Sequence, residues 1–269
     1  MVVINEGLST NFDAGAIADS GQVFRAEIKP NGVHFISGGE YVVIQPNGEI
    51  ISTNDNYFGN YFDLPTDYDQ MNLALPEKVS AACRGIRILN AEAVEIIISF
   101  IISANNNIKR IKNTVAKICQ NHGEKRTFGD ISYYAFPTLT ALSKITEGEL
   151  RSYGCGYRTP YLIKTIKILQ TTDIDELRTL SNDELYERLI VLPGVGDKVA
   201  RCIMLFGFHR LNIIPVDTWI IKTAGYFVDI TGKTPKTVAE QLQRHFGDYG
   251  GVAQQYIFYY VQHLKRELQ

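Results

Sequence analysis

The chain has 269 residues, which is enough for one large or two modest domains. Hydrophobic residues make up 45% of it and charged residues 21%, as is typical of globular proteins. The longest apolar run, residues 96–102, is interrupted by Ser99 and is too short for a transmembrane helix, so we predict no membrane association. The formal net charge of −2 excludes a strongly basic protein, so any nucleic acid would have to be bound by local patches and backbone N–H groups.

The N-terminus and the cysteines favour a reducing compartment. "MVVINEGLSTNFD" has neither the basic start nor the apolar stretch of a signal peptide, so we predict a cytoplasmic protein, associated with the nucleoid if the source is bacterial. The four cysteines form no C-x-x-C pair, which argues against zinc and iron–sulfur sites (Cys83, Cys119, Cys155 and Cys202). We therefore expect reduced thiols and no bound metal.

Residues 1–80 are predicted to form a small domain of antiparallel sheet. "KPNGV" (29–33) and "QPNGE" (45–49) each place Pro-Asn-Gly between short runs of β-branched and aromatic residues. In tight hairpin turns Asn-Gly supplies two consecutive residues with positive φ, so each stretch predicts such a turn.

Residues 81–269 are predicted to form a helical domain, which makes the fold class α+β. "NAEAVEIIISFIIS" (90–103) is apolar nearly all round and predicts a buried helix. Ser181 followed by Glu184 has the spacing of a capping box, so a helix is expected to begin there. Thr234 before a proline predicts a further helix start.

The stretch "LPGVG" (192–196) predicts a helix–hairpin–helix motif over residues 181–208. One helix ends near the proline, and a second begins at about Asp197. The first N–H groups of the second helix have no partner within it and form a site for an anion such as a DNA phosphate. The hairpin residues Gly194, Val195 and Gly196 are therefore the candidates for contact with a DNA backbone.

Lys198 and Asp217 are the candidate catalytic pair. Lys198 falls in the first turn of the second helix, where the positive helix pole and burial are expected to lower its pKa and favour the nucleophilic amine. Asp217, in "PVDTW", is expected to cap the next helix, and its carboxylate could hold the lysine proton or stabilise a positive sugar. The alternatives are an exposed lysine and an aspartate that only caps a helix.

"LPGVGDKVA" together with "PVDTW" resembles the helix–hairpin–helix glycosylase superfamily, and a lysine at position 198 is similar to its bifunctional members, which also nick the abasic site. Four further stretches resemble the 8-oxoguanine DNA glycosylase/AP lyases: "SGQVFR" (20–25), "SFIISANNNIKRI" (99–111), "GCGYR" (154–158) and "GGVAQQYIF" (250–258). The resemblance implies base excision repair of 8-oxoguanine paired with cytosine, by base flipping, lysine attack at C1′, a Schiff base and β-elimination, without a cofactor.

The resemblance also implies roles in a pocket for the flipped base. The carbonyl of Gly21 would accept a hydrogen bond from N7–H, which 8-oxoguanine has and guanine lacks. Gln254 would bind the Watson–Crick edge, while Phe258 and Cys202 would pack on opposite faces of the base. The alternatives are a turn glycine, a core phenylalanine and a buried structural cysteine.

A second implied group serves the cytosine left unpaired. Arg110 and Arg158 would donate to it, Asn105 would offer an amide oxygen, and Tyr157 would fill the vacated stack. The alternatives are solvent-facing arginines and an Asn105 that caps a helix over residues 106–121.

Three other functions remain open from the residues alone. The chain could be a glycosylase for another damaged or mismatched base, a non-catalytic helix–hairpin–helix protein that holds the DNA backbone, or a helical scaffold in which the hairpin is only a loop. The favoured partner is double-stranded DNA that contains an oxidised guanine, bound by a monomer.

Overall fold

The computed structural model describes residues 12–71 and 74–263. A short helix and a four-stranded antiparallel sheet come first, and most later residues are helical, which confirms the α+β class. The strands are β1 (Ala26–Lys29), β2 (Gly32–Ser37), β3 (Glu40–Ile44), β4 (Ile50–Ser52), β5 (Lys125–Phe128) and β6 (Ile131–Tyr134). The helices are α1 (Ala14–Asp19), α2 (Asp55–Tyr61), α3 (Glu77–Ala82), α4 (Ala93–Ser103), α5 (Ile108–His122), α6 (Leu139–Leu142), α7 (Glu147–Tyr153), α8 (Thr159–Leu169), α9 (Ile174–Thr179), α10 (Asn182–Ile190), α11 (Asp197–Gly207), α12 (Thr218–Thr223), α13 (Pro235–Phe246) and α14 (Gly250–His263).

The sheet is a meander in the order β1-β2-β3-β4, but its predicted turns differ in detail. Asn31 and Asn47 do not have positive φ; only the glycines after them, Gly32 and Gly48, do. The first Asn-Gly does not form the centre of its turn, because Gly32 already pairs with Lys29 as the first residue of β2. The tight turn with two positive φ values lies between β2 and β3, at Gly38 (54°) and Gly39 (79°).

The two faces of the sheet contact different partners. One face adds Phe35, Val42 and Ile50 to the main hydrophobic core, which extends from α1 to α14. On the other face Tyr41 packs against Tyr133 from the β5–β6 hairpin, with ring centroids 5.2 Å apart. Residues on both sides of the predicted domain boundary at residue 80 belong to the main core. The boundary itself stays a prediction.

Helix α4 lies at the centre of the core and confirms the predicted buried helix. It packs against α11 at Gly207, where a Cβ would lie 3.2 Å from Cβ of Ile96. Near its start Glu95 is buried and binds Arg25 at 3.1 Å. Burial raises the pKa of Glu95, and the Arg25 charge opposes that shift. The ion pair fixes the segment before the sheet to the helix that supports α11.

In the part of the chain that the structure describes, every helix is too short or too polar to cross a membrane. The same residues contain no cluster of three or more histidine, cysteine or acidic side chains that could hold a metal ion.

Candidate active site

The helix–hairpin–helix motif has the predicted elements. Ser181 and Glu184 form the capping box that starts α10, and α11 begins at Asp197. Only one of the two hairpin glycines has unusual backbone geometry: φ is 85° at Gly194 and −96° at Gly196. Gly196 is the N-cap of α11, and N-caps have extended backbone.

The two hairpin glycines differ in the room that a side chain would have. A Cβ at Gly194 would lie 2.9 Å from Cβ of Tyr161 on α8, whereas one at Gly196 would meet no atom within 4 Å. Gly196 provides no side-chain cap for α11, so the first N–H groups of this helix point outward without a capping side chain. This is the geometry of an anion site that uses backbone donors.

Lys198 and Asp217 line one cavity, which has a volume of about 40 Å³. Lys198 is partly buried, and its Nζ lies 5.5 Å from the centroid of the Phe100 ring. Asp217 caps α12 through Oδ1, which accepts hydrogen bonds from the N–H groups of Trp219 and Ile220, both at 2.9 Å. The predicted cap is confirmed, and the second carboxylate oxygen makes no hydrogen bond within the described residues.

The pKa of Lys198 is raised, so the predicted lowering is wrong for the free protein. The largest cause is the negative charge of an ionised Cys202 sulfur; burial lowers the lysine pKa, and the Asp217 carboxylate raises it. Cys202 and Asp217 both favour the charged ammonium of Lys198. Their effect on the pKa outweighs that of helix polarity and burial, which favour the neutral amine. Burial also raises the pKa of Cys202, and the Lys198 charge opposes that shift.

Gly21 lies on a well-anchored loop at the edge of the same cavity. Its φ is 76°, and a Cβ there would lie 3.7 Å from Cε1 of Phe258. The next residue, Gln22, is fully buried and binds the backbone of α3–α4 loop residues Arg87 (2.9 Å) and Leu89 (3.0 Å). Ser20 O accepts a hydrogen bond from Gln255 Nε2 at 2.7 Å. One flank of the glycine is thus bonded to α14 and the other to the α3–α4 loop.

Gln254 and Phe258 lie one turn apart on α14 and both line the cavity. The Gln254 side chain is 4% exposed, and its Oε1 has no hydrogen-bond partner among the described residues. An unpaired buried carbonyl oxygen costs about 1–3 kcal/mol, so this orientation favours a function for the amide. The start of α14 is closely packed: a Cβ at Gly251 would lie 2.5 Å from O of Ile213.

The sequence did not predict all of the cavity wall. Ser20, Phe100, Phe206, Pro215 and Gln255 line it as well. Phe206 follows Lys198 and Cys202 at helical spacing, so periodicity could have identified it. Phe100 lies within an apolar run and faces the lysine only because α4 packs against α11, for which the sequence has no local signal.

The residues implied in binding the opposite strand form a second group around residue 105. Asn105 is exposed with φ of 50°, and Tyr157 is 54% exposed. Asn105 is not the helix cap: Asn107 caps α5, accepting from N of Arg110 at 3.0 Å. Arg110 itself is exposed, as the alternative expected, but Arg158 is buried, so a solvent-facing Arg158 is wrong.

The cavity, the hairpin and the group around residue 105 are connected by direct packing. Gly21 lies beside Ile108 at the start of α5, where a Cβ would be 3.8 Å from Cδ1 of that isoleucine. Gly194 lies against Tyr161 of α8, the helix that directly follows Tyr157 and Arg158. The structure therefore places the cavity residues, the hairpin and the group around residue 105 on elements that pack against one another, and the roles of these residues stay predictions.

Comparison with known proteins gives consistent matches. Residues 98–247 match the family model described as HhH-GPD superfamily base excision DNA repair protein. The chain is 30% identical over 222 residues to the probable N-glycosylase/DNA lyase of Methanothermobacter thermautotrophicus, covering 73% of this chain and 71% of that protein. It is 37% identical over 188 residues to the N-glycosylase/DNA lyase OGG1 of Arabidopsis thaliana, covering 65% of this chain and 52% of the plant protein. It thus matches about half the length of that relative.

A similar solved structure is the Clostridium acetobutylicum 8-oxoguanine glycosylase/lyase in complex with double-stranded DNA containing cytosine opposite 8-oxoguanine. The two structures superpose with a TM-score of 0.87 at 33% sequence identity, and the match covers 95% of this chain and 93% of the other.

Proposed function

Because the chain belongs to the HhH-GPD superfamily of base excision DNA repair proteins, we propose that it is a bifunctional DNA glycosylase/AP lyase that excises 8-oxoguanine paired with cytosine. The observation that carries the proposal is the shared cavity of Lys198 and Asp217, beside the Gly21 loop and the unpaired Gln254 amide. The named relatives and the Clostridium complex support the choice of substrate.

The reaction begins when the neutral amine of Lys198 attacks C1′ of the flipped nucleotide. The N-glycosidic bond breaks, and the base leaves with the bonding electrons and takes up a proton. Asp217 stabilises the positive charge that develops on the sugar. The amine nitrogen loses a proton, the C1′–O4′ bond opens as O4′ is protonated, and a Schiff base between C1′ and the lysine remains.

The Schiff base then permits strand nicking. Its positive nitrogen acidifies C2′–H, so loss of that proton expels the 3′ phosphate as the C3′–O3′ bond breaks. Water hydrolyses the remaining imine and regenerates the lysine. Each step is a nucleophilic or proton-transfer step, so this chemistry needs no metal and no organic cofactor.

Lys198 must lose a proton before it attacks, because its pKa is raised in the free protein. Asp217 is suited to receive that proton, since its capping hydrogen bonds both go to Oδ1 and leave Oδ2 available. The carboxylate can thus act without the start of α12 losing its cap.

The lesion base would enter between Cys202 and Phe258. A cavity of about 40 Å³ has room for only a few water molecules, so the side chains around it must separate when the base enters. The carbonyl of Gly21 would then accept from N7–H of 8-oxoguanine, and Gln254 Oε1 would gain the donor that it lacks in the free protein.

The DNA would run across the hairpin and the group around residue 105. The N–H groups of Gly194 and Gly196, with those of the first turn of α11, suit one phosphate, whereas the Val195 N–H already donates to O of Leu192 at 3.0 Å. The exposed Asn105, Arg110 and Tyr157 suit the opposite strand, with Tyr157 in the gap that the flipped base leaves. We propose that the protein acts on DNA as a monomer in the cytoplasm, at the nucleoid if the source is bacterial.

Borohydride trapping on a duplex with 8-oxoguanine opposite cytosine tests the proposal. We expect a covalent adduct that Lys198→Gln abolishes while DNA binding persists, and that the exposed-lysine control Lys222→Gln retains. Adducts formed only with other lesions would indicate a different glycosylase. Salt-sensitive DNA binding without any adduct would indicate a non-catalytic module, and no salt-sensitive binding would indicate a scaffold.

A further inference from the structure

One buried side chain beside the cavity has no part in the proposed reaction, the amide of Gln22. It belongs to the residue directly after Gly21 and is fully buried. Its Nε2 donates to Oγ of Ser20 and to O of Arg87, both at 2.9 Å, and its Oε1 accepts from N of Leu89 at 3.0 Å. Both N–H groups and the oxygen of the amide are therefore paired, and burial strengthens these hydrogen bonds because water does not compete for them.

The backbone carbonyl of Gly21, in contrast, is unpaired. Its oxygen accepts no hydrogen bond within residues 12–71 and 74–263, although Gly21 lines the cavity. The carbonyl belongs to the planar peptide unit that joins Gly21 to Gln22, so its direction depends on the torsion angles at these two residues. Glycine adopts the observed φ of 76° without strain but restrains the backbone little. The restraint on this peptide unit must therefore come from the buried side chain that follows it.

Residues 86–89, which lead toward α4, connect this peptide unit to α14. Gln22 makes two hydrogen bonds to the backbone of this loop. From the other side, Oη of Tyr256 on α14 donates to O of Ile86 at 2.9 Å. Gln254 lies two residues before Tyr256 on the same helix. The loop is thus a shared support for the glycine carbonyl and the glutamine amide, the two polar groups proposed to contact the flipped base.

We propose that Gln22 is a positioning residue: its side chain fixes the peptide unit after Gly21 so that the carbonyl oxygen points into the cavity, at N7 of the bound base. The inference rests on the proposed function for the identity of that base. A carbonyl oxygen attracts the N7–H of 8-oxoguanine and repels the N7 lone pair of guanine only when it is aimed at that atom. Without the Gln22 hydrogen bonds the peptide unit rotates, and both effects are lost while the rest of the cavity keeps its shape.

Hydrogen–deuterium exchange in the free protein tests the restraint without DNA. Gln22→Met keeps the length of the side chain but removes its three hydrogen bonds, so the amides of residues 21–23 and of Leu89 should exchange faster. The matched control Gln120→Met changes an exposed glutamine of α5 and should leave these amides as they are. Unchanged exchange in Gln22→Met would overturn the proposal.

Gln22→Glu is the milder variant and decides the question if Gln22→Met does not fold. A carboxyl group has nearly the same shape as the amide but carries at most one proton, so at least one of the two donated hydrogen bonds is lost. The same amides should exchange faster, by less than in Gln22→Met. Wild-type exchange in a folded Gln22→Glu protein would contradict the restraint.

DNA affinity tests the effect on the base. In the Lys198→Gln background, which removes the nucleophile, Kd is measured for duplexes with 8-oxoguanine, guanine or a tetrahydrofuran abasic analogue opposite cytosine. Adding Gln22→Met, or Gln22→Glu in its place, should lower the preference for 8-oxoguanine over guanine, by about tenfold for the loss of one aimed hydrogen bond. Affinity for the abasic analogue should not change, because no base then contacts the carbonyl. Equal weakening on all three duplexes, or an unchanged preference, would overturn the proposal.

The two measurements separate this inference from the proposed function. If the Lys198→Gln protein shows no preference for 8-oxoguanine and the wild type excises none, the proposed function fails, while the exchange measurement still decides whether Gln22 restrains the peptide unit. If the preference is present and survives both Gln22 substitutions, the proposed function stands and the positioning role fails.

Discussion

Lys198 and Cys202 lie one turn apart on α11, and both side chains line the same cavity. The Cys202 sulfur contributes more than any other neighbour to the raised pKa of the lysine. In the proposed reaction the neutral amine is the nucleophile, so the free protein holds the lysine in its unreactive form at neutral pH. Excision is therefore expected to accelerate as pH rises from neutrality toward the lysine pKa.

Replacing Cys202 with alanine should move that acceleration to lower pH. The substitution removes the largest cause of the raised pKa, so the amine loses its proton more easily. The measurement is kcat/KM against pH, which reports the ionisations of the free enzyme. Cys83→Ala is the control, since that buried thiol instead contacts the backbone of Tyr256. A Cys202→Ala profile that coincides with the wild type would contradict the explanation.

Asp217→Asn should separate the charge of this residue from its capping role. Asparagine caps helices as well as aspartate does, so the free energy of unfolding should change little. Excision should fall by roughly 10²–10³-fold, because the charge that stabilises the sugar cation is lost. Asp217→Ala removes the cap as well and should cost about 1 kcal/mol more in urea denaturation. Near-normal excision by Asp217→Asn would refute the electrostatic role.

Alanine at the two hairpin glycines should affect different properties, mainly protein stability at Gly194 and DNA affinity at Gly196. Gly194→Ala would place an alanine at a backbone position with positive φ, and its Cβ would lie 2.9 Å from Cβ of Tyr161. The substitution should therefore lower the free energy of unfolding by about 1–3 kcal/mol. Gly196→Ala meets open space with an ordinary φ, so it should cost less, about 1 kcal/mol at most, because alanine is a poorer N-cap than glycine. Its methyl group would face the phosphate, so DNA affinity should fall. Thermal unfolding and DNA titration are measured on both variants. Unchanged DNA affinity in Gly196→Ala would show that the hairpin does not contact DNA.

Neighbouring glutamines on α14 should differ in the sign of their effect on stability. Gln254→Leu removes an unpaired buried oxygen and should stabilise the protein by about 1 kcal/mol, while weakening the preference for 8-oxoguanine over guanine. Gln255→Leu instead leaves O of Ser20 without its donor and should destabilise by a similar amount. Urea denaturation and competition between the two bases test this. A loss of stability in Gln254→Leu would show that its amide is structural.

Features set by neighbouring residues in the chain could be predicted from the sequence. The capping box at Ser181 and the caps at Asp217 and Thr234 depend on hydrogen bonds within one turn, and all three are present. The buried helix α4 followed from a run of apolar residues, since no other arrangement removes so many of them from water.

Features set by tertiary contacts could not be predicted in this way. Helix polarity and burial gave the wrong direction for the pKa of Lys198, because Cys202 and Asp217 decide it and only the fold brings Asp217 near. Arg158 is buried because the loop at residue 105 happens to offer it carbonyls, 53 and 54 residues earlier in the chain. Residue types alone do not show which donors an arginine will find.

The close packing at Gly250 and Gly251 has a consequence for engineering the enzyme toward other lesions. Any side chain at Gly251 would collide with the carbonyls of Ile213 and Leu211, which belong to the segment that leads into Asp217. Helix α14, which carries Gln254 and Phe258, therefore packs directly against the segment that leads to Asp217. If the proposed roles hold, libraries that vary positions 254 and 258 alter which damaged base is accepted, whereas variation at 250 and 251 would shift the proposed base-binding residues and Asp217 at once.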